Sequence, residues 1–174
     1  MSDQYLRELL AVSEKDALTF FVGHLQDEVV SRVTQTQAET FYVASILAHH
    51  AIVSRGNSEY MSTSGSLREI LDTFVLPGLD TERSAGLQDP EILEVAGSQT
   101  LLLVGFFRDQ MRKKHNLRWY ANLGSSFFQR AGDGLRHGDK SDLLLQVGEN
   151  FELWAQSCYQ VSRTLRYDPY LLKL

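Results

Sequence analysis

The chain has 174 residues, 43% of them hydrophobic and 22% charged, with a mean hydropathy of −0.22 and a single cysteine. A domain of this length buries roughly 70% of the surface its unfolded chain exposes, so it needs neither disulfides nor a structural metal. Cys158 has no partner for a bridge within the chain. The formal charge of −5 and a pI near 5.5 exclude a protein that coats nucleic acid or anionic membrane over its whole surface, while leaving room for a local basic patch.

The opening stretch MSDQYLRELL lacks the basic segment and apolar core of a secretion signal. The longest apolar run, residues 101–107, falls far short of the roughly 18 residues that cross a bilayer. The expected location is a reducing cytoplasm, with no membrane insertion.

The three prolines, Pro77, Pro90 and Pro169, fall near the ends of periodic segments. Long stretches are thus free of the residue that most strongly interrupts helices, and the expected fold class is all-α. A short helix is expected over 4–12. The next follows 13–16, with Leu18, Phe21, Val22, Leu25, Val29 and Val33 as its inward stripe. Thr36 and Glu39 form a capping-box pattern that opens a third helix. Its residues 41–53 contain no Asp, Glu, Lys or Arg, so it is expected at the centre of the bundle.

Residues 56–65 read as a loop, 66–76 as a helix begun by a second capping box, and 77–88 as another loop. Asp89, Pro90 and Glu91 give the clearest start signal in the chain, with an N-cap, a proline at the first helical position and an acid near the positive end of the dipole. That helix is expected to reach about residue 114. A reversal near Asn116 leads into a helix over 117–131, and Gly132, Gly134 and Gly138 mark a loop. In the last helix Leu144, Val147, Phe151, Trp154, Cys158, Val161 and Leu165 alternate spacings of three and four, the pattern of a bundle seam. The whole chain, 1–174, reads as one domain of about six helices.

Residues able to carry chemistry are scattered. No Glu-x-x-His or His-Glu-x-x-His occurs, so the helical signatures of di-iron bundles and zinc hydrolases are both absent and no metal or other cofactor is expected. His49 and His50 are helix neighbours pointing about 100° apart, poorly placed to share an ion. They read as one hydrogen-bonded core histidine and one at its edge. Cys158 lies on the seam, where a thiol is packed and unreactive. No serine sits in a nucleophile elbow, and neither a Walker nor a Rossmann motif is present. No catalytic residue is assigned, and the balance favours a protein that is not an enzyme.

Arg108, Arg112, Lys113, Lys114 and Arg118 lie close together, opposed only by Asp109 and followed by Trp119 and Tyr120. Cations beside an aromatic ring can grip phosphate and stack on bases, but cations near a helix end also favour its dipole. Nucleic acid is therefore disfavoured against an acidic protein surface or a second copy of the chain. Gly105 and Gly124 each cost a helix about 1 kcal/mol relative to alanine, and something should offset that cost. Placed nearly level across an antiparallel pair, they would allow close packing. The alternative is an apolar groove lined by Leu101, Gly105, Phe107, Gly124 and Phe128, with Tyr42, His49, His50 and Tyr120 as polar handles for a small molecule.

Residues 97–107, GSQTLLLVGFF, with Tyr120, Gly124 and Phe128 after a basic reversal, resemble an uncharacterised family of small all-helical bacterial proteins. The opening YLRELL, 5–10, is similar as well. Ser98 replaces the aspartate, and Phe128 the tyrosine, usual in that family. The resemblance implies an all-helical fold and transfers no activity, cofactor or catalytic residue. The resulting expectation is a regulatory or accessory protein acting through protein contacts, as a homodimer or with another partner, with a small-molecule binder or enzyme as the alternative.

Overall fold

A computed structural model describes residues 14–29, 37–56 and 89–167. In chain order these form α1 (Glu14–Val29), α2 (Gln37–Gly56), α3 (Pro90–Leu101), a π-helical segment (Leu102–Phe106), the single turn α4 (Arg108–Met111), α5 (Leu117–Gly134), α6 (Asp139–Glu149) and α7 (Phe151–Tyr167). The described residues are 89% helical and contain no strand, so the all-α bundle is the observed architecture. The expected helices over 4–12 and 66–76, the loops after Gly56 and over 77–88, Val33 and the Thr36 cap lie outside the described residues.

Helix α3 starts as its sequence dictates: the Asp89 carboxylate accepts from the Glu91 amide at 2.9 Å, and Pro90 occupies the first turn. It does not continue unbroken to residue 114. At Leu102 the ladder widens, the Phe107 amide donates to the Leu102 carbonyl at 2.9 Å, and Phe107 leaves helical geometry at φ −98°, ψ 20°. The extra residue of this π segment re-aims the chain, as such insertions do. Asn116 then caps α5, its side-chain oxygen accepting from the Trp119 amide at 3.2 Å. Pro90 meets Gly134, Gly97 meets Phe128 and Thr100 meets Gly124, a register in which α3 and α5 run antiparallel.

Helix α5 passes through Gly132 to Gly134, three residues beyond the expected end at 131. The reason is tertiary. A methyl group on Gly132 would meet the Leu145 side chain at 2.8 Å and the Ser141 carbonyl at 3.0 Å, so glycine here serves close packing against α6 rather than a loop. Gly148 does the same from the other helix, lying against the Ser125 carbonyl and Gln129. Two hydroxyls close the contact reciprocally: Ser125 donates to the Gly148 carbonyl at 2.7 Å and Ser141 to the Gly132 carbonyl at 2.8 Å. The turn between them uses His137 at φ 24° and Gly138 at φ 154°.

The expected seam is buried. Leu144, Val147, Phe151, Trp154, Cys158 and Val161 are all core residues, and Leu165 packs at their edge. They belong to two helices, because the chain turns at Asn150 (φ −92°, ψ 15°). Asn150 keeps near-helical bonds on both sides, donating to Gln146 and accepting from Trp154, so the break is a kink and the spacing survives it. Helix α1 packs against α2 and α7, α7 packs against the π segment, and Phe127, Phe128, Phe151 and Trp154 fill the centre.

Helix α2 buries Val43, Ala44, Leu47 and Ala48. Its opposite side differs from a helix enclosed all round: Phe41 is 55% exposed and His49 is open to solvent. Glu39, expected as a capping carboxylate, is buried and accepts from the Trp154 indole at 2.8 Å and the Asn150 amide at 3.0 Å. Those bonds tie the start of α2 to the kink.

Candidate functional site

Two surfaces bring polar or charged side chains together. The first is a groove of about 450 Å³ between α2 and α3, lined by Tyr42, Ser45, Ile46, His49 and His50 on one wall and by Glu94, Val95, Ser98, Gln99 and Leu102 on the other. Tyr42 and Glu94 bridge it at one end, the phenol donating to Oε1 of the carboxylate at 2.9 Å, while Lys140 reaches Oε2 at 2.8 Å. Burial, reinforced by the neighbouring Glu94 carboxylate, raises the Tyr42 pKa far above the phenol range, so its hydroxyl remains a donor. Ser45 and Ser98 donate to the carbonyls of Tyr42 and Glu94, back into their own helices.

His50 lies at the other end. Its ring meets Phe107 edge-on at 5.4 Å, and its Nε2 is buried with no hydrogen-bond partner among the described residues. Burial, with a smaller contribution from His49, lowers its pKa and favours the neutral ring. The pair thus divides into an exposed His49 and a half-buried His50, although the core hydrogen bond expected for one of them is missing among the described residues.

The second surface is the basic reversal. Arg108 separates from the rest: it is half-buried, donates to Gln156 at 2.8 Å and stacks over the Tyr159 ring at 5.3 Å. Arg112 pairs with Asp109 at 3.3 Å but stays largely in water. Lys113, Lys114 and Arg118 are exposed and form no ion pair among the described residues. Trp119 is 43% exposed beside them, its ring edge-on to Tyr120, which in turn meets His115.

The remaining residues expected along an open hairpin groove lie inside the bundle. Leu101, Tyr120 and Phe128 are buried, and Phe107 backs His50. Gly105 and Gly124 do not face each other. A Cβ on Gly105 would strike Ala155 and Cys158 of α7, and one on Gly124 would strike Phe151 and Thr100. Phe128 rests against Gly97 and edge-on to Tyr42, behind the groove. Of the nine expected pocket residues, the observed groove therefore includes Tyr42, His49 and His50. Cys158 is fully buried, and burial pushes its thiol up to about 12. Among the described residues no group of His, Cys, Asp and Glu could hold a metal ion.

Sequence reasoning missed Glu94, Val95, Gln99, Leu102 and Lys140. Tyr42 and Glu94 are 52 residues apart, and no local spacing announces their pairing. Ile92, Val95, Gln99 and Leu102 do recur at helical spacing, but the same stripe reads equally well as core. No family model, curated protein or solved structure matches this chain. No described helix is long and apolar enough to cross a membrane.

Proposed function

We propose that the protein is a non-enzymatic helical bundle of a reducing cytoplasm that acts through protein contacts, and that its basic, aromatic end docks an acidic protein surface. One observation carries the reading: Lys113, Lys114 and Arg118 project into water, without ion-pair partners among the described residues, around a half-exposed tryptophan. Trp and Arg supply most of the binding energy in many interfaces, because a large ring is desolvated while the guanidinium forms directional hydrogen bonds. The cations also complement a negatively charged partner, which speeds encounter and sets orientation.

The test is the charge-reversed variant carrying Arg112→Glu, Lys113→Glu and Lys114→Glu. These side chains are exposed, so far-ultraviolet dichroism should keep its helical amplitude. Quantitative cross-linking in cells should show partners, or self-association, that the variant no longer captures. Unchanged cross-links in the variant refute the assignment. Salt-dependent binding of a generic single-stranded oligonucleotide, abolished in the variant while every protein cross-link persists, would reassign the patch to nucleic acid.

A further inference from the structure

The groove between α2 and α3 has a different chemistry and stands independently of the basic end. Its volume of about 450 Å³ falls within the range of small-molecule sites. Ile46, Val95 and Leu102 give it apolar walls, backed by the rings of Tyr42 and His49. Glu94 is the one carboxylate in a lining that holds no Asp, Lys or Arg.

We propose that this groove is a binding site for an organic ammonium ligand with an apolar body. The Glu94 carboxylate is 19% exposed and fixed in direction, because Tyr42 donates to one oxygen at 2.9 Å and holds it at the groove wall. A carboxylate offers about four lone-pair positions, so Tyr42 and Lys140 together leave acceptor capacity for a further donor. Lys140 shows that this carboxylate accepts an ammonium at 2.8 Å, delivered by a side chain that is itself 56% exposed. A ligand ammonium would share the carboxylate with Lys140 or displace it, while its hydrocarbon part covers Ile46, Val95 and Leu102. A ligand carboxylate or phosphate would find no hydrogen-bond donor on Glu94 and would have to draw Lys140 away from it, leaving two anions side by side.

Titration of the full-length, nitrogen-15-labelled chain with n-hexylammonium, hexanol and hexanoate compares three head groups on one body. The site predicts amide shifts at Ser45, His49, Val95 and Ser98, with hexylammonium binding roughly tenfold more tightly than hexanol and hexanoate weakest. Glu94→Gln keeps an acceptor for the Tyr42 hydroxyl and should erase the ammonium preference. Lys140→Met removes the competing ammonium and should tighten hexylammonium severalfold, whereas an anion-binding groove would respond in the opposite direction. Hexanoate binding as tightly as hexylammonium, a preference that survives Glu94→Gln, or an absence of shifts at these residues would each overturn the proposal.

Discussion

Gly105→Ala isolates the packing of the π segment against α7. In a helix interior alanine is favoured over glycine by about 1 kcal/mol, and by that measure alone the substitution stabilises. The new methyl carbon, however, would lie 2.8 Å from the Cys158 Cβ, 2.9 Å from the Ala155 carbonyl oxygen and 3.2 Å from the Ala155 Cα. Carbon atoms rest about 3.5–4.0 Å apart at their optimum, and none of these three atoms sits at the end of a flexible side chain that could rotate away. Helix α7 must therefore move, or the π segment must. Overpacking of a tight core costs about 1–3 kcal/mol, and backbone contacts belong at the upper end.

Subtracting the propensity gain leaves a net loss of about 2 kcal/mol, or roughly 4–8 °C in Tm for a chain of this size. Gly23→Ala is the matched control. It makes the same chemical change in the exposed middle of α1, where a Cβ would meet nothing within 4 Å, and it should stabilise by about 0.5–1 kcal/mol. Urea unfolding followed by dichroism and by tryptophan fluorescence measures both. If Gly105→Ala raises the midpoint as Gly23→Ala does, the close approach of the π segment to α7 is wrong.

Three further outcomes follow from buried polar groups. Glu39→Leu strips the acceptor from the Trp154 indole and the Asn150 amide and should cost about 2–3 kcal/mol, with Glu39→Gln losing less; a displaced Trp154 indole proton resonance reports the broken bond, and full stability of the leucine variant contradicts it. Cys158, its thiol pushed up to about 12, should react with iodoacetamide only at the rate at which the bundle opens, so labelling should accelerate with urea; fast labelling of the native protein would show that the seam is not dry. His50 has a folded pKa below its ordinary 6.5, so in the window between the two values the unfolded chain binds more protons. Its contribution is complete above that ordinary value and is lost as pH falls through it toward the folded one. His50→Gln should flatten stability against pH as pH falls below 6.5, and an unchanged slope would place the ring in water.

Much of the architecture was legible because local chemistry and the bundle agree. Asp89 and Pro90 start α3 by satisfying one orphan amide and omitting another, which needs no distant partner. The seam from Leu144 to Leu165 is legible because spacings of three and four place side chains on one face whatever covers them. The kink at Asn150 was hidden for the same reason: it preserves that spacing and shows only in the backbone angles. Gly132 misled because glycine ends helices as readily as it admits a neighbour, and the choice was made by Ser141 and Leu145 on another element.

The functional surfaces divide in the same way. The basic reversal could be read from residues 108–119 because its charges are adjacent in the chain, and only the packing of Arg108 onto Gln156 and Tyr159 removed one member. The groove could not be read, since Tyr42, Glu94 and Lys140 come from three helices with no periodic relation between them. By itself the sequence determined the helical class, the starts of α3 and α5 and the apolar faces, all set by interactions within a turn or two of chain. Tertiary structure alone decided which glycines admit α7, where Glu39 finds its donors and which carboxylate faces the groove, because each depends on how separate helices meet.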